Sequence, residues 1–356
     1  MKFALLTTNL TGGGAEKALA NIARGLAARG HDVSFIVCDD TGVYRPPPDC
    51  RLHVLGVGVG HGWLAKRRLA WRLQRLLRGA NHDLLVSTLP FADEVAVLAR
   101  LPRHVCRIAN TLSAEIARLP TAKAARRAAR YRGLYGRQPL VAVSQGVADD
   151  LQACFGVAEH RLRVIANPFD VAALRALATM PCAALPAGPF ILHVGRYAAQ
   201  KRHDLLLEAF AKLEPPHILV LMTPPDAGLV AQISAKGLER RVAIADFQAN
   251  PYPWMAAADL LVLCSDHEGL PNVLIEALAC GTRVVSTDCL SGPREILTGS
   301  LAQWLVPCGD AEALARAMAA ALKAPKPEGA VAEAALAPYA AERALDAWEA
   351  LAREAF

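Results

Sequence analysis

Two carboxylates eight residues apart, Glu268 and Glu276, enclose the run Gly269-Leu-Pro-Asn-Val-Leu-Ile275. Pro271 suits a first helical turn, where its missing N–H is not needed, and Gly281 is placed to stop the helix. Val273, Leu274, Ile275, Ala277 and Leu278 read as a buried stretch, so Glu276 projects from surroundings where an ionised group is costly unless paired. Glu268 lies in the loop just ahead, beside a helix N-terminus whose free N–H groups and dipole favour phosphate. A lone Glu in an apolar helix is commonly a half-exposed residue. The pair with its Gly-Leu-Pro-Asn insert suits a hydroxyl-rich ligand carrying a diphosphate, and a nucleotide-sugar is such a ligand.

Three further constellations belong with it. Thr11-Gly-Gly-Gly-Ala-Glu16 follows a first apolar strand and opens a helix, and its glycines let backbone N–H groups approach an anion. Read from Gly12 the pattern is G-x-G-x-x-K, lacking the third glycine of the dinucleotide fingerprint. Asp39 and Asp40 after the second strand could imitate a ribose-binding acid, which keeps a nicotinamide enzyme as a formal competitor. Gly195-Arg196-Tyr-Ala-Ala-Gln-Lys201 places two cations five residues apart, enough to neutralise a diphosphate if the loop folds back toward its strand. Ser291-Gly-Pro-Arg-Glu295 is another loop opening a helix. Asp266-His-Glu268 superficially imitates a metal-binding D-x-D, but two cations already supply the charge, so no metal and no other cofactor is expected.

These segments together resemble the retaining GT-B glycosyltransferases of the group-1 or family-4 class, whose E-x7-E signature matches Glu268 to Glu276. The resemblance continues through Cys280-Gly-Thr-Arg-Val-Val-Ser-Thr-Asp288 and Ser291-Gly-Pro-Arg-Glu-Ile-Leu297, and spans most of the chain. It implies an α/β GT-B fold of two Rossmann-like doubly wound parallel-sheet domains facing a central cleft. It implies a hexosyltransferase acting on a nucleotide-sugar, with a UDP-sugar suggested by the form of Ser291–Glu295. The resemblance assigns Glu276 to the ribose hydroxyls. Glu268 goes to the transferred sugar, with Gly269, Leu270, Pro271 and Asn272 beside it. Arg196 and Lys201 become the leaving-group clamp, while Arg202 and His203 receive no role. Gly13 and Gly14 fall near the donor phosphates and the acceptor. Two departures stand out: Asn110 occupies the place where many relatives carry a His beside the reacting sugar, and Met222-Thr-Pro-Pro-Asp-Ala-Gly228 replaces a G-x-G-type turn, which puts base recognition in doubt.

Composition fits an enzyme of two domains. The chain has 356 residues, 53% of them hydrophobic, and no apolar run approaching the eighteen needed to span a bilayer. Its opening Met-Lys-Phe-Ala-Leu-Leu-Thr-Thr looks like a strand, not a signal peptide. Nine cysteines, without any C-x-x-C, suit a reducing cytoplasm and give no metal-site spacing. Charge is unevenly divided, +11 over residues 1–170 and −5 over 171–356. Much of the excess lies in Lys66–Arg78, where Leu69, Leu73, Leu76 and Leu77 keep helical spacing beside Trp63 and Trp71, and in Lys123–Arg137 with Tyr131 and Tyr135. Basic amphipathic helices with interfacial aromatics rest on anionic headgroups, so peripheral contact at the inner face of a membrane is one expectation. Ordinary helices with a solvated cationic face are the other. Nucleic acid is not expected, because no recognition motif accompanies the charge.

The elements that must position these residues alternate as β and α. Strands fit Lys2–Thr8, Val33–Cys38, Leu84–Thr88, Cys106–Ala109 and Val141–Ser144, and after a restart Phe190–Gly195, Ile218–Met222, Val242–Ile244, Leu260–Cys264, Arg283–Ser286 and Gln303–Val306. The divisions expected are an acceptor-side domain over 1–170, a linker over 171–188, a nucleotide-sugar domain over 189–335, and a C-terminal helix over 336–356 that crosses back to the first domain. The acceptor is expected to be a glycan or a lipid-linked molecule, as in cell-surface polysaccharide or lipopolysaccharide synthesis. A GT-B sugar-nucleotide epimerase, a phosphorylase and a catalytically silent nucleotide-sugar-binding subunit share the same clamp and remain alternatives.

Overall fold

Strand β1 (Lys2–Thr7) shows how the first half is built. Phe3 and Leu5 point to one core with Ile22, Leu26 and Trp348; Ala4 and Leu6 point to another with Leu69, Leu73, Val95 and Ala96. Apolar residues on both sides of a strand belong to a parallel sheet covered twice. The computed structural model describes residues 1–11, 13–42, 48–58, 60, 62–79, 81–327 and 329–354. Within them β2 (Asp32–Val37), β3 (Arg51–Val54), β4 (Leu84–Thr88), β5 (His104–Ile108), β6 (Leu140–Ala142) and β7 (Leu162–Val164) join β1 in the order β3-β2-β1-β4-β5-β6-β7, every pair parallel.

A second all-parallel sheet holds β8 (Phe190–Val194), β9 (Ile218–Met222), β10 (Val242–Ala245), β11 (Leu260–Leu263), β12 (Val284–Thr287) and β13 (Leu305–Val306), in the order β10-β9-β8-β11-β12-β13. In both sheets the order reverses beside the opening strand. Ligands of doubly wound sheets gather outside the carboxyl ends at such a reversal, which here means the ends of β1 and β4, and of β8 and β11.

One compact unit comprises Met1–Phe169 and Tyr339–Phe356, the other Asp170–Pro338. The helix Ala341–Arg353 packs on the first sheet, where Trp348 is fully buried, and Arg29 and His31 meet Glu349 at 3.0 Å each. The segment expected as a linker starts with the helix Val171–Ala178 of the second unit, capped by Asp170 and tied through Arg175 to Ala279 O at 3.2 Å. Its breakers begin only at Pro181, beyond the helix. Sequence periodicity also missed β3, a mostly exposed four-residue edge strand, and the helix Gly329–Leu336. It began the last strand at Gln303, whereas Gln303 and Trp304 still belong to the 3-10 turn Gly299–Trp304.

The two basic helices differ from expectation in one respect. Tyr131 and Tyr135 are core residues, 1% and 0% exposed, and the Tyr135 hydroxyl donates to Asp93 Oδ2 at 2.8 Å. Their spacing with Leu134 is that of a buried stripe. Trp63 and Trp71 stand outward, at 61% and 56% exposure.

Candidate active site

In the second unit the loops after β8 and β11 are stitched together. Past Val194 the chain runs through Gly195 and Arg196 into the turn Ala199–Lys201, and Arg202 at φ 52° precedes the helix His203–Ala211. Lys201 Nζ donates to Glu268 Oε1 at 2.6 Å, and Ser265 Oγ donates to the same oxygen at 2.6 Å. Gln200 Nε2 donates to His267 O at 2.6 Å, and Asp266 N donates to Gln200 O at 2.9 Å. Cys264 Sγ reaches Lys201 O at 3.0 Å. Arg202 is fixed by Asp266 at 2.9 Å and by Asp204, and both carboxylates stabilise its charge. Asp266 and Glu268 are thus each met by a different cation.

Burial makes the Lys201–Glu268 pair strong. The glutamate side chain is 10% exposed and the lysine 20%, so water screens their attraction poorly. Beneath them His193 and His203 stack edge to face with centroids 4.7 Å apart, 0% and 2% exposed. Burial holds His193 well below the usual imidazole range and His203 at about 4, with the Lys201 charge adding to the second effect. The rings stay neutral, and positive charge concentrates on Lys201 and Arg196. Arg196 is exposed and makes no hydrogen bond or ion pair among the described residues. Its neighbour Tyr197 is anchored, its N–H donating to Thr223 Oγ1 and its hydroxyl accepting from Gln232 Nε2, both at 3.0 Å.

The loop Gly269–Pro271 leads into the helix Asn272–Ala279, in which Glu276 is buried at 3% exposure; Pro271 takes the capping position. Gly292 presses on this loop. It has φ 98°, and a methyl group there would lie 2.3 Å from Pro271 Cδ and 3.1 Å from Gly269 O. Glu268 N donates to Leu290 O at 3.1 Å, so 288–292 supports the segment carrying both carboxylates. The structure therefore brings Lys201, Glu268, Gly269, Leu270, Pro271 and Asn272 onto adjoining loops at one carboxyl edge, with Arg196 on the same loop as Lys201.

Gly13, Gly14 and Asn110 belong to the first unit, at the carboxyl edge of its sheet. Gly12 lies outside the described residues. Gly13 caps the helix Gly14–Ala28, and Glu16, 6% exposed, folds back so closely that a methyl on Gly13 would sit 2.2 Å from its Oε2. Asn110 Nδ2 donates to Glu115 Oε1 at 2.5 Å, while its Oδ1 is buried without a partner. Arg107, 1% exposed, donates to Thr88 Oγ1 at 3.1 Å and to Asn167 Oδ1. Burial lowers its pKa to about 10, against the pull of Asp93 and Glu16.

Sequence reasoning missed Gln200, Ser265, Arg202 and Arg107 as organisers of these loops. The one available signal was Arg202-His203-Asp204, which sets a cation two residues from a carboxylate.

Residues 12–173 match a family model described as Glycosyltransferase Family 4, and residues 188–324 match one described as Glycosyl transferases group 1. A Campylobacter jejuni protein, N-acetylgalactosamine-N,N'-diacetylbacillosaminyl-diphospho-undecaprenol 4-alpha-N-acetylgalactosaminyltransferase, is 27% identical over 316 residues, 83% of either chain. The Rhizobium meliloti lipopolysaccharide core biosynthesis glycosyltransferase LpsE is 25% identical over 86% of this chain and 84% of its own. The crystal structure of Anabaena HepE in complex with UDP-glucose superposes with a TM-score of 0.78 at 21% identity, over 99% of this chain and 100% of that one. A likeness at that identity carries the fold alone, and the fold is GT-B.

Proposed function

This chain belongs to the glycosyltransferases of the GT-B fold, and from that premise we propose that it is a retaining enzyme. It moves a hexose or N-acetylhexosamine from a UDP-sugar to a glycan or lipid-linked acceptor in cell-surface polysaccharide or lipopolysaccharide synthesis. The observation that carries the reading is the Lys201–Glu268 pair at 2.6 Å, at the reversal between β8 and β11, with Arg196 on the same loop. The names of the C. jejuni and R. meliloti relatives support the acceptor class, and the UDP-glucose complex of HepE supports the donor class.

Breaking the sugar–phosphate bond develops positive charge on the sugar ring and negative charge on the departing diphosphate. Arg196 and Lys201 stabilise the diphosphate, an electrostatic role in which one lost donor typically costs roughly 3–4 kcal/mol. Glu268 and the N–H groups of Gly269 and Leu270 hold the transferred sugar, Pro271 and Asn272 shape that loop, and Glu276 takes the ribose hydroxyls. The acceptor attacks the face the diphosphate leaves, and a donor phosphate oxygen receives its proton. That path retains configuration without a nucleophilic carboxylate. Two cations opposite the diphosphate supply the charge a divalent ion would, so the proposal includes no metal. On the first unit, the proposal gives Gly13 and Gly14 to the donor phosphates and acceptor, and Asn110 to the reacting sugar.

Peripheral contact with an anionic membrane surface completes the proposal, supported by the cationic balance of residues 1–170; among the described residues no helix is long and apolar enough to cross a membrane. A thermal-shift screen against UDP-, GDP-, ADP- and TDP-sugars tests the donor, since ligand binding raises native stability by mass action. Stabilisation by UDP-sugars alone is expected, and the anomeric proton coupling of the product should match that of the donor. Stabilisation by none of the four, or an inverted product, would defeat the reading.

A further inference from the structure

Between Asp49 and Asp83 the sequence holds no acidic residue and seven lysines and arginines. The helix Trp63–Leu77 lies in this stretch and divides its faces sharply. Leu69, Ala70, Leu73 and Leu77 are buried under the first sheet. Outward stand Trp63, Leu64 at 75% exposure, and Trp71, with Val57 at 80% in the loop ahead. Trp63, Arg67, Trp71 and Arg75 recur every four residues and form one stripe. The Arg67 guanidinium lies 4.8 Å from the Trp63 ring centre and that of Arg75 5.5 Å from Trp71, which braces each indole and keeps a cation beside it. Lys66 is taken by Glu94, and Arg72 turns to Leu55 O. Arg67, Arg68, Arg75 and Arg78 have no acidic partner among the described residues.

We propose that this face is the docking surface for an anionic lipid bilayer, with Trp63, Leu64 and Trp71 seated at headgroup depth and the four unpaired arginines on lipid phosphates. The proposal rests on the membrane contact put forward above and names the part of the chain that makes it. Indoles with adjacent cations suit the layer between water and acyl chains, where one end of the ring is wet and the other apolar. A second copy of the chain would oppose cation to cation. The other basic helix, Thr121–Tyr135, lacks this surface, because its Tyr131 and Tyr135 are buried and no large apolar side chain stands exposed beside Lys123, Arg126 and Arg132.

Co-sedimentation of the full chain with phosphatidylcholine vesicles, with and without about one third phosphatidylglycerol, tests the assignment. Binding is expected only with the anionic lipid, weakened by salt, with a blue shift of tryptophan emission. The double variant Trp63→Ala/Trp71→Ala should bind at least about tenfold more weakly, and each of Arg67→Gln and Arg75→Gln about fivefold. Lys123→Gln/Arg126→Gln should change binding less than about twofold. UDP-sugar thermal shifts should be equal in all variants, which shows that each is folded and separates docking from donor binding. If the wild type ignores anionic vesicles, the membrane contact falls with this surface. If binding survives loss of both tryptophans but not of Lys123 and Arg126, the surface is wrong and the contact stands. Tighter binding to a single-stranded oligonucleotide than to vesicles, lost in the tryptophan variant, would reassign the face to nucleic acid.

Discussion

Lys201→Ala and Glu268→Gln, made singly and together, interrogate the pair on which the function rests. Lys201→Ala takes the ammonium away from Glu268 Oε1, which also accepts from the Ser265 hydroxyl, in a site where the carboxylate is 10% exposed. Breaking a fully buried pair costs 3–5 kcal/mol, and the residual exposure of both side chains lowers the expectation to about 2 kcal/mol. Glu268→Gln strands the ammonium at similar cost. The double variant loses both charges, so it should be less destabilised than the sum of the singles by about 1–2 kcal/mol. Urea unfolding measures these terms. In turnover, Lys201→Ala removes a donor to the leaving diphosphate and should lower kcat by about 10²–10³. Glu268→Gln frees the ammonium from its carboxylate, so UDP alone should bind a few-fold tighter by calorimetry while transfer falls. Additive unfolding energies together with unchanged turnover in Lys201→Ala would refute the reasoning.

Other outcomes follow from single contacts. Glu276→Gln removes a buried charged acceptor and should weaken UDP binding by about tenfold, some 1.4 kcal/mol by calorimetry, with kcat at saturating donor little changed. Gly292→Ala combines left-handed strain of about 1–2 kcal/mol with a methyl 2.3 Å from Pro271 Cδ, so the donor loop must shift. Its melting temperature and its affinity for the UDP-sugar should both fall, and an unchanged affinity would mean the loop does not hold the donor. Burial raises Asp93 from 3.8 to about 7, although Ser87 and Tyr135 donate to it. The folded chain therefore keeps a proton that the unfolded chain has lost: the stabilisation is full below about pH 4 and disappears as pH rises through 7. His104, which burial lowers to about 4, acts in the opposite sense as pH falls from 6.5. The stability of the wild type minus that of Asp93→Asn cancels the histidine and should decline between pH 4 and 7; a constant difference would contradict the assignment.

Legibility followed the range of the interactions. The Glu268–Glu276 segment could be read because loop, capping proline and apolar helix are contiguous. The strand alternation could be read because parallel strands buried on both faces give unbroken apolar runs. Gln200 and Arg202 escaped because His267 and Asp266, which they meet, lie more than sixty residues away in sequence, whereas Ser265, three residues from Glu268, escaped because polar residues in a loop carry no periodicity. The tyrosines of the helix Thr121–Tyr135 were misread for a different reason. Aromatic content beside arginines is the same whether a ring faces outward or inward, and only the spacing of Tyr131, Leu134 and Tyr135 tells them apart. The helix Val171–Ala178 was lost among neighbouring prolines that act beyond its end.

The helix Ala341–Arg353 supplies Trp348, with Ala344, Leu345, Leu351 and Ala352, to a core otherwise built from the first 169 residues. On the ribosome that tryptophan emerges after every strand of the second sheet has been made. The second unit can thus finish folding while the first still lacks a wall, and the earliest sequence to leave the tunnel is the last to reach its native packing. A stop codon placed just before residue 341 would spare the unit that holds Lys201 and Glu268 and injure the one that holds Gly13.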